Sequence, residues 1–204
     1  MIWRDFVITT RPSAADIVNQ TQVFAYDLDT GALRWTVTLP KSFANSWYTR
    51  VEAVDRGVAY VTRCGNGQPE YLYAIDVMTG ALRWQSPMTI NSNSTEQAAI
   101  APDGDLLTTL DNTHIVRIDA VTGQPVWTTP RTCPSSEGCA LAIHGDRVYG
   151  WQNQVGGTSV VAYDLATGAF RYSIPLSATQ GVQQTQLMVG PDGTIYAPRS
   201  VSTT

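Results

Sequence analysis

The chain has 204 residues, a formal charge of −4 and a pI near 5.0, with 43% hydrophobic and 15% charged residues. This length and composition allow a full core and exclude a disordered chain. Lys41 is the only lysine among 13 basic residues, so no clustered cationic face exists for nucleic acid, and no apolar run approaches the roughly 18 residues of a membrane-spanning helix.

The amino end, MIWRDFVITT, alternates like a strand and carries Arg4 and Asp5 where a signal peptide would be apolar. No signal peptide is expected in this chain. The first repeat is expected to begin at its second strand, DFVITTR (Asp5–Arg11), with no strand before it. AYDLDTGALRW (Ala25–Trp35) follows, and the same pattern returns as AIDVMTGALRW, RIDAVTGQPVW and AYDLATGAFRY. The motif glycines, Gly31, Gly80, Gly123 and Gly168, are 49, 43 and 45 residues apart. A period in the forties fits either helical arrays or one four-stranded propeller blade per repeat. Apolar residues here alternate with period 2, not 3.6, which selects the propeller.

Each repeat divides into four strands, A to D. In the second, these are YTRVEAV, VAYVTR, YLYAIDV and ALRWQSP. The A–B links are tight turns at 55–57, 102–105, 144–147 and 191–194, rich in Asp and Gly. The repeats run roughly 1–40, 41–88, 89–131 and 132–176, and an incomplete blade occupies 177–204. There QTQLMVG and TIYAPRS supply strands A and B. The predicted fold is all-β: a single β-propeller domain of about four four-stranded antiparallel blades, an arc of a larger propeller.

The C–D link is the motif itself. Asp27 ends strand C, Thr30 and Gly31 form the turn, and Trp35 stands in strand D. The carboxylate and hydroxyl are expected to hold turn N–H groups, with glycine taking the left-handed conformation. The corresponding sets are Asp76, Thr79, Gly80 and Trp84; Asp119, Thr122, Gly123 and Trp127; and Asp164, Thr167, Gly168 and Tyr172. A large aromatic once per blade suits a wedge between blades. The other reading is a row of ligand-stacking rings.

The pattern Ala-x-Asp-x-x-Thr-Gly-x-x-x-Trp resembles the tryptophan-docking motif of pyrroloquinoline-quinone (PQQ)-type propeller repeats. Ala25–Trp35 and Ala74–Trp84 match at every fixed position, whereas Arg117 replaces the alanine of the third copy and Tyr172 the tryptophan of the fourth. The resemblance covers essentially the whole chain and implies seven or eight blades in a complete wheel. The family includes quinoprotein alcohol and glucose dehydrogenases, which hold PQQ on calcium, and noncatalytic assembly propellers of the BamB type.

The residues present match no cofactor set. The adjacent-cysteine pair of those dehydrogenases is missing, and Asp103, Asp105 and Asp192 read as ordinary turn acids. No catalytic, cofactor or metal residues are assigned, and no cofactor is expected. His114 and His144 have no zinc-like spacing with the cysteines. Cys133 and Cys139 flank PSSEG and either close a short disulfide or remain thiols, with Cys64 left over. The sequons at Asn19 and Asn93 are short enough to arise by chance.

The A–B and C–D turns fall on one face of a propeller. The opposite face carries longer, variable connections: Pro12–Gln22, Lys41–Tyr48, Cys64–Glu70, Thr89–Gln97, Thr132–Cys139, Asn153–Ser159 and Ser177–Gln184. Recognition usually resides on such loops, and Trp47, Tyr48 and Glu70 are the binding candidates. The expectation is a noncatalytic scaffold that binds a protein or surface polymer through this face, in a periplasmic or extracellular full-length protein. The alternative is a fragment of a PQQ- and calcium-dependent dehydrogenase.

Overall fold

Continuous apolar runs form the middle strands of each sheet, because both of their faces are covered. Val58–Val61 and Leu72–Ile75 are buried at every position. Outer strands alternate, since only one face packs, and Leu33, Val126 and Phe170 point into solvent. The computed structural model describes residues 1–12, 21–39, 46–65, 69–91, 98–111, 114–131, 141–154, 157–176 and 187–197, and every element among them is a β-strand.

The first sheet comprises β1 (Ile2–Trp3), β2 (Phe6–Pro12), β3 (Thr21–Asp27) and β4 (Leu33–Thr38). The second has β5 (Ser46–Asp55), β6 (Val58–Gly65), β7 (Pro69–Asp76) and β8 (Leu82–Asn91). The third has β9 (Ala99–Ile100), β10 (Leu106–Asp111), β11 (His114–Ile118) and β12 (Pro125–Pro130). The fourth has β13 (Ala142–His144), β14 (Arg147–Gln154), β15 (Gly157–Asp164) and β16 (Phe170–Pro175). Each is an antiparallel meander in chain order, the form of a propeller blade. A two-stranded sheet follows, β17 (Met188–Val189) and β18 (Ile195–Tyr196).

Two sequence expectations are corrected. The first blade does have its A strand: Ile2 pairs with Val7 and Trp3 with Phe6. The amino group donates to Ile8 O and Ile8 N–H to Met1 O, each at 2.8 Å. Two residues are too few for alternation to register. Several variable loops are also shorter than expected, because β6 runs to Gly65, β7 starts at Pro69, β8 runs to Asn91 and β15 starts at Gly157. Cys133, Cys139, Asn19 and Asn93 lie outside the described residues.

The chain divides into two compact units, residues 1–93 with 120–124, and residues 94–119 with 125–204. In the first, Ile8, Val23, Ala25, Val61, Tyr73 and Ile75 form the core, and Trp35 packs against it. Here β5 lies against β1 and β2. In the second unit, one core gathers Leu107, Ile115, Val148, Val161 and Tyr163. Another joins Trp151, Tyr149 and Val160 to Leu187 and to Val189 and Ile195 of the two-stranded sheet. There β13 lies against both β9 and β17. In both units the first strands of successive sheets approach one another, which makes them the inner strands.

Candidate functional site

The motif turns of the first, second and fourth sheets share one network. The Oδ1 of Asp27 accepts the Thr30 N–H at 2.8 Å and its hydroxyl at 2.7 Å, and Asp76 and Asp164 receive Thr79 and Thr167 in the same way. The glycine N–H then donates to the carbonyl of the Asp, at 2.8–2.9 Å. The threonine hydroxyl in turn accepts the N–H two residues on, at 3.2–3.3 Å, in all four copies.

An arginine completes the set. Arg34, Arg83 and Arg171, each seven residues after the Asp, bind its second oxygen, Arg83 at 2.6 Å. The sequence carried this signal in three of four copies, because only Val126 breaks it. The arginines are about half exposed, so solvent screens each pair.

These contacts hold the acids in their charged form. Arg171, then Thr167, lower Asp164 from its ordinary 3.8 to about 2. Arg34 holds Asp27 well below the usual carboxylate range, and Arg83 lowers Asp76. A depressed folded value gives stability that is present above the unfolded value and lost as pH falls through the folded one. Burial pushes Glu52 the other way, so its protonation does not add to this loss. The melting temperature should therefore drop as pH is lowered from about 4 towards 2. Asp164→Asn should flatten the decline in that window, as followed by circular dichroism, and an unchanged slope would refute the assignment.

The tryptophans dock on the next turn, not their own. The Trp35 Nε1–H donates to Val77 O at 2.7 Å, Trp84 to Ala120 O at 3.0 Å and Trp127 to Leu165 O at 3.0 Å. Each ring lies flat on the glycine of the turn it reaches. A Cβ on Gly80 would sit 2.9 Å from the Trp35 ring, and one on Gly123 2.7 Å from Trp84. Glycine is thus required twice at Gly80, for its φ of +74° and for the ring above it. Gly31, at φ +69°, has no atom of the described residues within 4 Å of where a Cβ would stand. Gly31→Ala should cost about 1 kcal/mol from backbone strain alone, whereas Gly80→Ala should cost visibly more in urea unfolding. Equal losses would contradict the ring contact.

Tyr172 makes its recorded contacts at the fourth sheet. It is 37% exposed, its hydroxyl lies 3.5 Å from that of Tyr149, and Arg147 stands over its ring at 5.9 Å. Both contacts are with its own blade.

Two buried charge clusters were not read from the sequence. Arg117, where the motif has alanine, donates through Nε to Asp105 at 2.8 Å, through Nη2 to Asp103 and through Nη1 to Leu165 O at 2.9 Å. That carbonyl also receives Trp127. The two turn acids expected to brace only their own loop are therefore clamped on an arginine. In the other unit, Glu52 sits at a register shift of β5 and is 3% exposed at its side chain. Arg50 grips both of its oxygens at 2.9 and 2.8 Å, and Thr62 donates to Oε1.

The binding candidates fall on strands, not loops. Trp47 and Tyr48 belong to inner strand β5, where Tyr48 pairs with Cys64, and Glu70 belongs to β7 opposite Ile90. All three stand at the end of the second sheet away from its motif turn. Asp192 bonds the Thr194 N–H at 3.0 Å and its hydroxyl at 2.8 Å, which is turn chemistry.

A family profile described as outer membrane protein assembly factor BamB matches residues 19–197. The chain belongs to this family. Among solved structures, this BamB-family chain is similar to BamB from Moraxella catarrhalis, with 18% identity and a TM-score of 0.57 over 90% of the chain. It spans about half of that protein, 48% of its length. It is also similar to the computationally designed Ika8 protein, with 14% identity and a TM-score of 0.61, covering 96% of this chain and 55% of that one. A quinohemoprotein alcohol dehydrogenase from Pseudomonas putida HK5 is similar at 16% identity and a TM-score of 0.59, covering 97% and 36%. At these identities the likenesses establish the propeller fold alone. No curated protein matches in sequence. Among the described residues, no helix is long and apolar enough to cross a membrane.

Proposed function

We propose that this chain is a noncatalytic propeller scaffold that binds a protein or surface polymer outside the cytoplasm, through the loop face around Trp47, Tyr48 and Glu70. One observation carries the reading: the acids a cofactor site would draw on are engaged within the fold. Asp27, Asp76 and Asp164 close motif turns, Asp103 and Asp105 clamp Arg117, and Asp192 holds Thr194. The family supports the same reading, since its description names an assembly factor of the outer membrane. The candidates combine two aromatic residues and an acid at one sheet end, a composition suited to protein recognition.

The test has two parts. Trp47→Ala, Tyr48→Ala and Glu70→Arg should each weaken capture of envelope proteins or polymers by the immobilised chain at least tenfold, with unchanged circular dichroism. Capture that survives all three substitutions sinks the loop-face reading. A thermal shift with PQQ and calcium, together with dye-linked alcohol or glucose oxidation, would instead favour the dehydrogenase fragment. The chain is further proposed to be an arc of a seven- or eight-bladed propeller, supported by its spanning 48% of the BamB structure. A scattering profile of a closed four-bladed monomer would overturn that.

A further inference from the structure

We infer that Glu52 is a positioning residue for the loop-face site. Buried against Arg50 and Thr62, it fixes the register in which Trp47 and Tyr48 reach the end of the second sheet. This role rests on the loop-face reading and names what aims that face.

The second sheet departs from the repeat. Among the described residues, each four-stranded sheet has a register shift beside its motif turn, at Ala25/Tyr26, Ala74/Ile75, Arg117/Ile118 and Ala162/Tyr163. Strands β5 and β7, which bear the three binding candidates, carry three more, at Ser46/Tyr48, Val51/Ala53 and Tyr71/Tyr73. The third sheet has one more, and the first and fourth have none. Bulges gather where a strand re-aims its side chains next to a site.

Along β5, Ala53 pairs with Tyr60 and Val51 with Val61, so Glu52 is an extra residue in the ladder. Trp47 is the extra residue of the next bulge, between Ser46 opposite Gly65 and Tyr48 opposite Cys64. The first bulge shows in the core. Val51 and Val54 are three residues apart and both pack against the cluster of Ile8, Val23 and Val61. An unbroken strand would send them to opposite faces.

The chemistry of Glu52 selects this register. A slip that closed its bulge would pair Glu52 with Val61, place the carboxylate on that apolar core and take Val51 off it. In the observed register the carboxylate meets Nε and Nη2 of Arg50 at 2.9 and 2.8 Å, and the Thr62 hydroxyl donates to it. A buried ion pair adds little net stability over apolar packing, and fixing a register is its best-attested use. Ser86 plays a similar part for the strand of Glu70. Buried at the Tyr71/Tyr73 shift, it accepts the Leu72 N–H at 3.1 Å and donates to Met88 O at 2.7 Å.

The test reads the register directly, in a chain carrying Cys133→Ser and Cys139→Ser. Position 48 stands opposite Cys64 and position 49 opposite Arg63. Mild oxidation should therefore link Tyr48→Cys to Cys64 at least tenfold faster than Thr49→Cys, as mapped by mass spectrometry. Adding Glu52→Val should reverse that preference. With Tyr48 restored, Glu52→Val should also weaken binding of a solubilised outer-membrane protein fraction to the immobilised chain at least tenfold. Glu52→Gln, which keeps an oxygen for Arg50 and Thr62, should retain the preference and bind within threefold of the parent. An unchanged cysteine preference in Glu52→Val overturns the inference, and so does a reversed preference with undiminished binding by a chain that Trp47→Ala does weaken. If Glu52→Val loses its circular dichroism, deletion of Glu52 decides. Without the extra residue the link from Tyr48→Cys to Cys64 should persist, and its loss overturns the inference. If Trp47, Tyr48 and Glu70 variants all bind fully while the cysteine preference reverses, the loop-face reading fails and the register role stands.

Discussion

Trp84→Ala should destabilise the protein by on the order of 3–5 kcal/mol, the usual cost of emptying a large aromatic site. Trp84 is 9% exposed, lies on Gly123, bonds Ala120 O, and meets the Tyr60 ring at 5.9 Å. Its removal leaves a cavity against a glycine that has no side chain to move into it. The cost should fall short of additivity with Gly123→Ala, because both changes spoil one contact. Urea unfolding read by far-ultraviolet circular dichroism checks both points, since fluorescence would lose its reporter. A loss below about 1 kcal/mol would remove the wedge role.

Arg117→Ala should cost nearly as much, about 3 kcal/mol, by a different mechanism. The guanidinium is 10% exposed at its side chain and carries three hydrogen bonds. Its loss breaks the ion pair with Asp105, which is 16% exposed. Leu165 O keeps its bond from Trp127. Asp103 is 59% exposed and can return to water. Arg117→Met combined with Asp105→Asn should recover part of the stability, because both charges of this pair are removed together. If the double variant is no better than Arg117→Ala, packing and not charge explains the loss.

Much of the fold was legible because the repeat states it four times. Period-2 apolar runs and Asp-x-x-Thr-Gly turns are local signals, and the strands lie close to where they point. The missing pieces are not local. Trp35 and Val77 are 42 residues apart, so spacing within one copy cannot show that the ring crosses to the next turn. Arg117 looked like a degraded alanine because its partners, Asp103 and Asp105, belong to an earlier turn. The two-residue β1 was too short for any periodicity to detect. The binding candidates are harder still, since the polar surroundings of Trp47, Tyr48 and Glu70 predict loops while their backbone continues the sheet. Hydrogen-bonded pairing beyond the apolar core leaves no compositional trace.

The docking of each tryptophan on the following glycine has a genealogical consequence. Both halves of the joint are written within the same eleven residues, the glycine facing backward along the chain and the tryptophan facing forward. Duplicating or exchanging one of the three repeats that carry a tryptophan would therefore bring a matched pair into the new order without a compensating mutation. Such a gene can change its number of blades in single steps.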